Sequence, residues 1–193
     1  MKKGYVFFVC GVTGAGKGTL IKGLLEDKTL KLQFALSCKT RELRHGEKDG
    51  VDYIKLSFDE FKKQINAGEF LEYNFVHNQD YYGTRKVDII DNGINKGKII
   101  IKEIDMLVVP YLLEKMKDLR KYFSIIFLDL PIESIKDRMI SRGEEINNKN
   151  YENRLASAKK ERENIGFVDY IIDATKPQDQ VLNEFKEIIK SKI

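Results

Sequence analysis

The chain has 193 residues, a formal net charge of +4 and two cysteines. This length suffices for one good core with inserted segments and is too short for two independent domains of ordinary size. Its 34 basic and 30 acidic side chains are interleaved without a basic block, so we expect no nucleic-acid partner. No run approaches the roughly 20 apolar residues of a membrane span. Cys10 and Cys38 lack metal-ligand spacing, which favours reduced thiols in a cytoplasmic protein.

Strand-like apolar runs alternate along the chain with amphipathic helical patterns. This alternation predicts an α/β fold with a parallel sheet and helices on both faces. The predicted core strands are residues 5–10, 34–37, 99–104, 124–128 and 170–172. The predicted helices are residues 17–26, 108–119, 132–141, 151–165 and 178–190. We therefore expect a five-stranded core sheet.

The residues from about 39 to 95 follow a different pattern. Two short strand-like runs, 51–56 and 70–76, flank a helix that begins with the capping box Ser57-Phe-Asp-Glu60. This pattern predicts a small β-rich insertion in a core formed by about 1–38 and 96–193. A polar stretch between two helices, about 142–153, predicts a lid. Together these parts make one domain, 1–193.

A glycine-rich segment follows directly after the first predicted strand. It consists of Gly11, Val12, Thr13, Gly14, Ala15, Gly16, Lys17, Gly18 and Thr19. It matches the phosphate-binding pattern G-x-x-x-x-G-K-[ST] except at Gly18, so that Thr19 is the next hydroxyl able to approach Mg²⁺ through water. Glycines let backbone N–H groups surround a polyphosphate at a helix N-terminus, and Lys17 would reach the β- and γ-phosphates. The segment predicts an ATP-binding P-loop. Its G-K-G-T ending resembles the adenylate-kinase-type nucleoside monophosphate kinases.

A second pattern is more specific than the P-loop. Residues 40–53 read T-R-x-x-R-x-G-E-x-x-G-x-D-Y, and Glu72 and the run Tyr81-Tyr82-Gly83-Thr84 follow. These residues resemble the guanylate kinase family, and the resemblance extends over nearly the whole chain. It implies a core that binds ATP, an insertion that binds GMP, a lid that closes over both phosphate chains, and transfer of a phosphoryl group from ATP to GMP with Mg²⁺. We expect dGMP to be a second acceptor.

The GMP phosphate is expected to meet arginines and tyrosines. Arg41 and Arg44 can donate bidentately to a phosphate monoester, and Tyr53 and Tyr82 can each add one hydroxyl. Whether Tyr81 or Tyr82 contacts the phosphate stays open, because the preceding loop is longer than the usual family loop.

The guanine base is expected to meet a carboxylate. The resemblance assigns Glu72 this role, and a carboxylate suits guanine because N1–H and N2–H₂ are adjacent donors. Ser37 and Thr84 match family hydroxyls near the O6 edge. The complete predicted GMP-binding set is Ser37, Arg41, Arg44, Tyr53, Glu72, Tyr82, Gly83, Thr84, Glu103 and Asp105.

Two carboxylates end the third predicted core strand. Glu103 and Asp105 are two residues apart and therefore lie on one face of the strand. The family pattern here is D-x-D, so Glu103 is a conservative departure. We expect Asp105 to organise either Mg²⁺-bound water or an arginine of the substrate site, and we predict no protein residue as a direct metal ligand.

The expected catalytic residues are basic. Arg138 and Arg142 are four residues apart and share a helix side, and Arg154 follows the lid. The resemblance implies that these arginines clamp the ATP phosphates. Lys17 and Arg41 complete the predicted catalytic set, since phosphoryl transfer needs alignment and charge neutralisation more than covalent help.

Two other functions stay open at this point. A related P-loop kinase for another small phosphate monoester, such as a sugar phosphate, would keep Lys17 and the arginines but change the base-reading residues. A non-catalytic guanylate-kinase-like scaffold would bind a phosphorylated protein in the GMP site. The expected partners are the small molecules ATP and GMP, with no membrane, in a monomer or homodimer.

Overall fold

The protein is described here by a computed structural model that covers residues 2–76, 79–141, 143 and 148–193, with only the backbone for 148–150. Its strands are β1 (Tyr5–Gly11), β2 (Leu32–Phe34), β3 (Ser37–Lys39), β4 (Tyr53–Lys55), β5 (Phe70–Val76), β6 (Asp80–Arg85), β7 (Ile99–Glu103), β8 (Phe123–Asp129) and β9 (Tyr170–Asp173). Its α-helices are α1 (Lys17–Glu26), α2 (Phe58–Asn66), α3 (Val109–Lys115), α4 (Ile135–Ser141), α5 (Asn148–Glu163) and α6 (Gln178–Lys190).

The core is a five-stranded sheet in the order β2-β7-β1-β8-β9, and every neighbouring pair is parallel. Strands β1 and β8 lie in its middle and are almost completely buried. Central strands of a parallel sheet are covered on both faces by helices, which explains their unbroken apolar sequences. The predicted α/β fold with a five-stranded parallel core is confirmed.

The predicted strand at 34–37 was placed wrongly. Core strand β2 ends at Phe34, and the N–H of Ala35 still donates to Ile101 of β7 at 3.1 Å. The chain then leaves this sheet, and Ser37 begins β3 of a second sheet. The apolar residues run across both strands without a glycine, proline or charge, so no local signal marks the crossing.

Two of the predicted helices have the observed limits, and two others include 3₁₀ segments that the sequence pattern did not predict. Helices α1 and α6 have the predicted limits. The predicted helix at 108–119 is a 3₁₀ turn at Met106–Val108, then α3, then a second 3₁₀ segment at Lys117–Tyr122. The helix expected at 132–141 likewise begins with a 3₁₀ turn at Ile132–Ser134.

The second sheet has the order β4-β3-β6-β5 and lies within residues 37–85. Helix α2 covers it and begins with the predicted capping box, in which Ser57 accepts from the Glu60 N–H and the Glu60 carboxylate accepts from the Ser57 N–H. Rings of Phe61 and Phe70 stack at 4.3 Å between centroids. Gly83 makes this packing possible, because a Cβ there would lie 3.0 Å from both rings.

The predicted lid, about 142–153, lies partly outside the described residues. Arg142 and residues 144–147 belong to that part, and α5 begins at Asn148. In the part of the chain that the structure describes, no helix is long and apolar enough to cross a membrane.

Candidate functional site

A cleft of about 1190 Å³ lies between the carboxyl ends of the core strands and the second sheet. Ligands of open α/β sheets bind at this edge. The sequence-predicted residues that line the cleft are Gly11, Lys17, Ser37, Arg41, Arg44, Tyr53, Glu72, Tyr82, Gly83, Glu103 and Asp105. The structure thus brings the P-loop lysine and the predicted base-reading carboxylate into one cavity.

The glycine-rich loop connects β1 to α1 at one end of the cleft. Gly16 precedes the helix with φ 85°, a left-handed conformation that favours glycine, and it provides no side-chain cap for the helix. Lys17 folds back over the loop, with its Nζ donating to the carbonyl oxygens of Gly11 at 2.6 Å and Val12 at 3.5 Å. The same Nζ lies 3.9 Å from Glu103. The loop therefore presents a helix N-terminus and an ammonium group together, which suits a polyphosphate.

Two of the predicted arginines lie against this loop. Arg154 Nη1 donates to Thr13 Oγ1 at 2.6 Å, and Arg138 Nη2 donates to the carbonyl oxygen of Ala174 at 3.1 Å. Arg138 also packs beside the loop, since a Cβ added to Gly14 would lie 3.2 Å from the Arg138 Cβ. Arg142 lies outside the described residues. Arginines from α4 and α5 thus meet the P-loop.

Glu47 organises the other end of the cleft. Its carboxylate accepts from Lys39 Nζ at 2.6 Å, from Arg41 Nη2 at 3.0 Å and from the Arg44 N–H at 2.8 Å. These hydrogen bonds, Lys39 foremost, lower the pKa of Glu47 to about 2. Arg41 Nε also donates to Tyr82 Oη at 2.9 Å. Arg41 is therefore held in one orientation, facing the cleft.

Two further groups complete this cationic end. The Arg44 guanidinium lines the cleft and has no hydrogen-bond or ion-pair partner among the residues described. Tyr53 lies under Lys39, whose Nζ is 3.7 Å from the centre of its ring. Burial and the nearby Glu47 raise the pKa of Tyr53, which keeps its hydroxyl protonated and able to donate. Guanidinium groups and tyrosine hydroxyl groups arranged in this way are suitable donors for a phosphate monoester.

The structure distinguishes the adjacent tyrosines of β6. Tyr82 faces the cleft, whereas the Tyr81 ring packs on the opposite face, 5.1 Å from Phe61 and 4.6 Å from Phe75 between ring centres. Successive side chains of a strand point to opposite faces, so only one of the two can line the cleft. Tyr82 is that residue.

Glu72 is the buried carboxylate of the site, with 8% of its surface exposed. It lies opposite Thr84 in the β5–β6 register, and Thr84 Oγ1 donates to its carboxylate at 2.5 Å. Burial raises the pKa of Glu72, while the hydrogen bond from Thr84 and the charge of Lys102 oppose that rise. Thr84 is fully buried behind Glu72, so the structure shows it orienting the carboxylate.

Glu103, the last residue of β7, and Asp105 both line the cleft. Asp105 Oδ1 accepts from the Leu107 N–H at 2.9 Å and so caps the 3₁₀ turn that follows. Among the described residues, no hydrogen bond or ion pair engages its other oxygen. Thr19 lies exposed in the first turn of α1.

Sequence reasoning missed several charged groups of the site. Lys39 and Lys102 are fully buried, and Lys102 directly follows the three isoleucines of β7, which was the available signal for that residue. Glu161 of α5 lines the cleft near Lys17, and burial raises its pKa. Ser157 donates to one Glu161 oxygen at 3.0 Å, and the other oxygen is buried without a partner among the described residues. Glu47 belongs to the motif of residues 40–53, but only the structure reveals that it is the acceptor shared by Lys39, Arg41 and the Arg44 N–H.

The comparisons with known proteins agree with this geometry. The sequence model of the guanylate kinase family matches residues 3–192. A guanylate kinase of Mycoplasmopsis pulmonis is 35% identical over 189 residues, 97% of this chain and 94% of that protein. A guanylate kinase of Helicobacter pylori is 35% identical over 191 residues, 95% of this chain and 87% of that protein.

A solved structure shows the same fold. The crystal structure of guanylate kinase from Anaplasma phagocytophilum superimposes with a TM-score of 0.75 at 23% identity, covering 99% of this chain and 87% of that one. The family match and the full-length relatives go further than the fold. This chain belongs to the guanylate kinase family, whose enzymes phosphorylate GMP with ATP.

Proposed function

We propose that this guanylate kinase transfers the γ-phosphoryl group of ATP directly to the phosphate of GMP, in line and with Mg²⁺, in the cleft between the two sheets. One observation carries the proposal: a single cavity contains the P-loop lysine at one end and a buried carboxylate with a cationic cluster at the other. A phosphoryl donor and a nucleotide acceptor can therefore meet end to end.

The P-loop side binds ATP in this proposal. Residues 11–19 direct backbone N–H groups at the phosphates, and Lys17 exchanges its carbonyl acceptors for phosphate oxygens. Arg138, Arg142 and Arg154 neutralise charge on the transferring group. Arg138 hydrogen-bonds a backbone carbonyl oxygen, and an anionic phosphate is a stronger acceptor than that neutral oxygen.

The second sheet binds GMP in this proposal, as the insertion of about 39–95. Arg41, Arg44, Tyr53 and Tyr82 hold the phosphate, and Glu72 accepts from guanine N1–H and N2–H₂. The ribose plays no part in these contacts, so dGMP is an acceptor as well. Residues 142–153 act as the lid, because two phosphate-bearing substrates must be shielded from water during transfer.

The residues present fit Mg²⁺ that arrives with ATP. No group of three or more metal-ligating side chains is assembled within the described ranges, whereas Thr19 and Asp105 supply the hard oxygen atoms that Mg²⁺ prefers. Such a sparse donor set suits an ion bound through phosphates and water. When bound, Mg²⁺ adds charge neutralisation at the phosphates.

The test is a measurement of ADP formation with several acceptors. We expect GMP and dGMP to be the best substrates, and AMP, UMP and ribose phosphates to give at most about one hundredth of their kcat/KM. Omission of Mg²⁺ in the presence of a chelator should abolish turnover. A preference for a ribose phosphate would contradict the proposed role of Glu72 in base recognition. Equal rates with and without Mg²⁺ would contradict the proposed requirement for the metal.

A further inference from the structure

Lys102 is a fully buried lysine in strand β7, opposite Phe8 of β1. Lysines are seldom buried completely unless a partner replaces their lost hydration. Among the described residues Lys102 forms no ion pair. Its ammonium donates a hydrogen bond to the Ser37 hydroxyl oxygen and lies 5.9 Å from the centre of the Phe34 ring. A structural salt bridge therefore does not account for this lysine.

The Ser37 hydroxyl connects Lys102 to the cleft. An ammonium group has three donors and no acceptor, so Ser37 Oγ must accept from it. The Ser37 proton is consequently directed away from Lys102, and Ser37 itself lines the cleft together with Glu72. A hydroxyl fixed in this way is a donor toward whatever occupies the cleft.

We propose that Lys102 is a positioning residue for base selection: it fixes Ser37 as a donor into the cleft and so favours a purine with an oxygen at C6 over a purine with an amino group there. This proposal rests on the proposed function, in which the base lies against Glu72. An oxygen at C6 accepts the Ser37 proton, whereas an amino group presents its own protons to that donor.

The charge on Lys102 is required for this role and depends on pH. Burial lowers its pKa to about 8, although the charges of Glu72 on β5 and Glu103 on β7 raise it. Asp88 acts in the same direction from the π-helical turn at Val87–Asp91. Cys38 on β3 also faces the lysine, and its thiol stays protonated because burial raises its pKa to about 11. Below pH 8 Lys102 is thus mostly charged. Above it, the neutral amine can accept from Ser37, and the hydroxyl can reverse its direction.

The experiment compares two acceptors that share the 2-amino group: GMP, with an oxygen at C6 and a proton on N1, and 2,6-diaminopurine riboside 5′-monophosphate, with an amino group at C6 and no proton on N1. The N1 difference is present for every variant, so it cancels when their selectivity ratios are compared. We expect Lys102→Met to lower the ratio of their kcat/KM values about tenfold, the usual scale for losing one directed hydrogen bond at a specificity site. Ser37→Ala should lower the ratio similarly. The double variant should be no less selective than Ser37→Ala alone, because Lys102 acts through Ser37.

Lys39→Met is the matched control, since Lys39 is equally buried but pairs with Glu47 at the phosphate end. It should raise KM for both nucleotides and leave their ratio unchanged. A ratio within about twofold of wild type in folded Lys102→Met, or full additivity with Ser37→Ala, overturns the proposal. If the wild-type protein does not phosphorylate GMP at all, the proposed function fails instead, and the two failures are distinct.

A second measurement needs no lysine variant. The ratio for the wild-type protein should fall as the pH rises through about 8, more steeply than the ratio for Ser37→Ala. Loss of the guanine N1 proton at alkaline pH affects both proteins equally and therefore cancels. Identical pH dependence in the two proteins would overturn the proposal even if Lys102→Met failed to fold.

Discussion

The two ends of the cleft hold their cations in different ways. At the P-loop end, Lys17 and Arg138 donate to backbone carbonyl oxygens at 2.6 Å and 3.1 Å, and the carboxylate of Glu103 is 3.9 Å from the Lys17 ammonium. At the other end Arg41 and Lys39 share the carboxylate of Glu47. A cation is attracted more strongly to a carboxylate at hydrogen-bond distance than to a neutral carbonyl oxygen, so Lys17 and Arg138 exchange partners more readily than Lys39 and Arg41.

This difference indicates two strategies for binding phosphate. The P-loop end relies on a local segment whose backbone and lysine turn to the ligand. At the Glu47 end, the side chains come from several segments and are held in place before the ligand arrives. The Arg44 guanidinium there adds a positive charge that no described carboxylate pairs with. Substitutions at the first end should therefore reduce catalysis, whereas substitutions at the second should change GMP binding and selectivity.

The largest expected effect is at the P-loop. Lys17→Ala should lower kcat by roughly 10³-fold or more, because it removes the P-loop ammonium group proposed to neutralise the transferring phosphate. GMP affinity, measured by titration calorimetry, should stay within about threefold of wild type, since Arg41 and Glu47 are untouched. Thermal unfolding provides the control for folding. A kcat within about threefold of wild type would contradict the P-loop assignment.

Substitution of Glu72, where the guanine base is proposed to bind, should change the selectivity among nucleotides. If Glu72 binds guanine as proposed, Glu72→Ala leaves two donors of the bound base unpaired, and each unpaired buried group costs about 1–3 kcal/mol. We expect kcat/KM for GMP to fall at least ~10²-fold. IMP lacks the 2-amino group and should lose less, while KM for ATP should hardly change.

The comparison of GMP with IMP is the decisive part of that experiment. An equal proportional loss for the two nucleotides would mean that Glu72 has a structural role and that another group recognises the base. Thr84→Val, which removes only the hydroxyl that donates to Glu72, is a useful companion and should show a smaller loss of the same selectivity.

The neighbouring tyrosines of β6 offer a smaller and sharper test. Tyr82→Phe removes a hydroxyl that Arg41 donates to at the cleft, so KM for GMP should rise about tenfold. Tyr81→Phe keeps the ring that packs against Phe61 and Phe75 and should leave KM within about twofold. The reverse result would mean that the register of β6 differs by one residue.

Local signals predicted the parts of the protein that are built locally. The glycine-rich segment defined the P-loop and the start of α1, and the capping box at Ser57 placed α2. The β2–β3 boundary was missed because Phe34, Ala35 and Leu36 form an uninterrupted apolar run across two sheets.

The missed site contacts depend on strand pairing rather than on local sequence. Thr84 faces Glu72 only through the β5–β6 register, and Lys102 reaches Ser37 from another sheet. A resemblance to a family names the ligand-facing residues of such a site. It does not give the buried partners that hold them, since those partners are set by packing in this particular chain.

The smallest expected effect concerns stability at the Glu47 end. The pKa of Glu47 is about 2 in the folded protein, against 4.5 for an ordinary glutamate, so its ionised form stabilises the fold. This contribution is complete above about pH 4.5 and is lost as the pH falls through about 2. Glu47→Gln should therefore lower Tm by a constant amount between pH 7 and pH 5, and the difference should shrink progressively in stronger acid as the wild-type carboxylate becomes protonated. Glu42→Gln, on an exposed glutamate nearby, is the control and should give a smaller difference. A Tm difference that persists undiminished at pH 2.5 would show that Glu47 stabilises the protein by packing rather than by its charge.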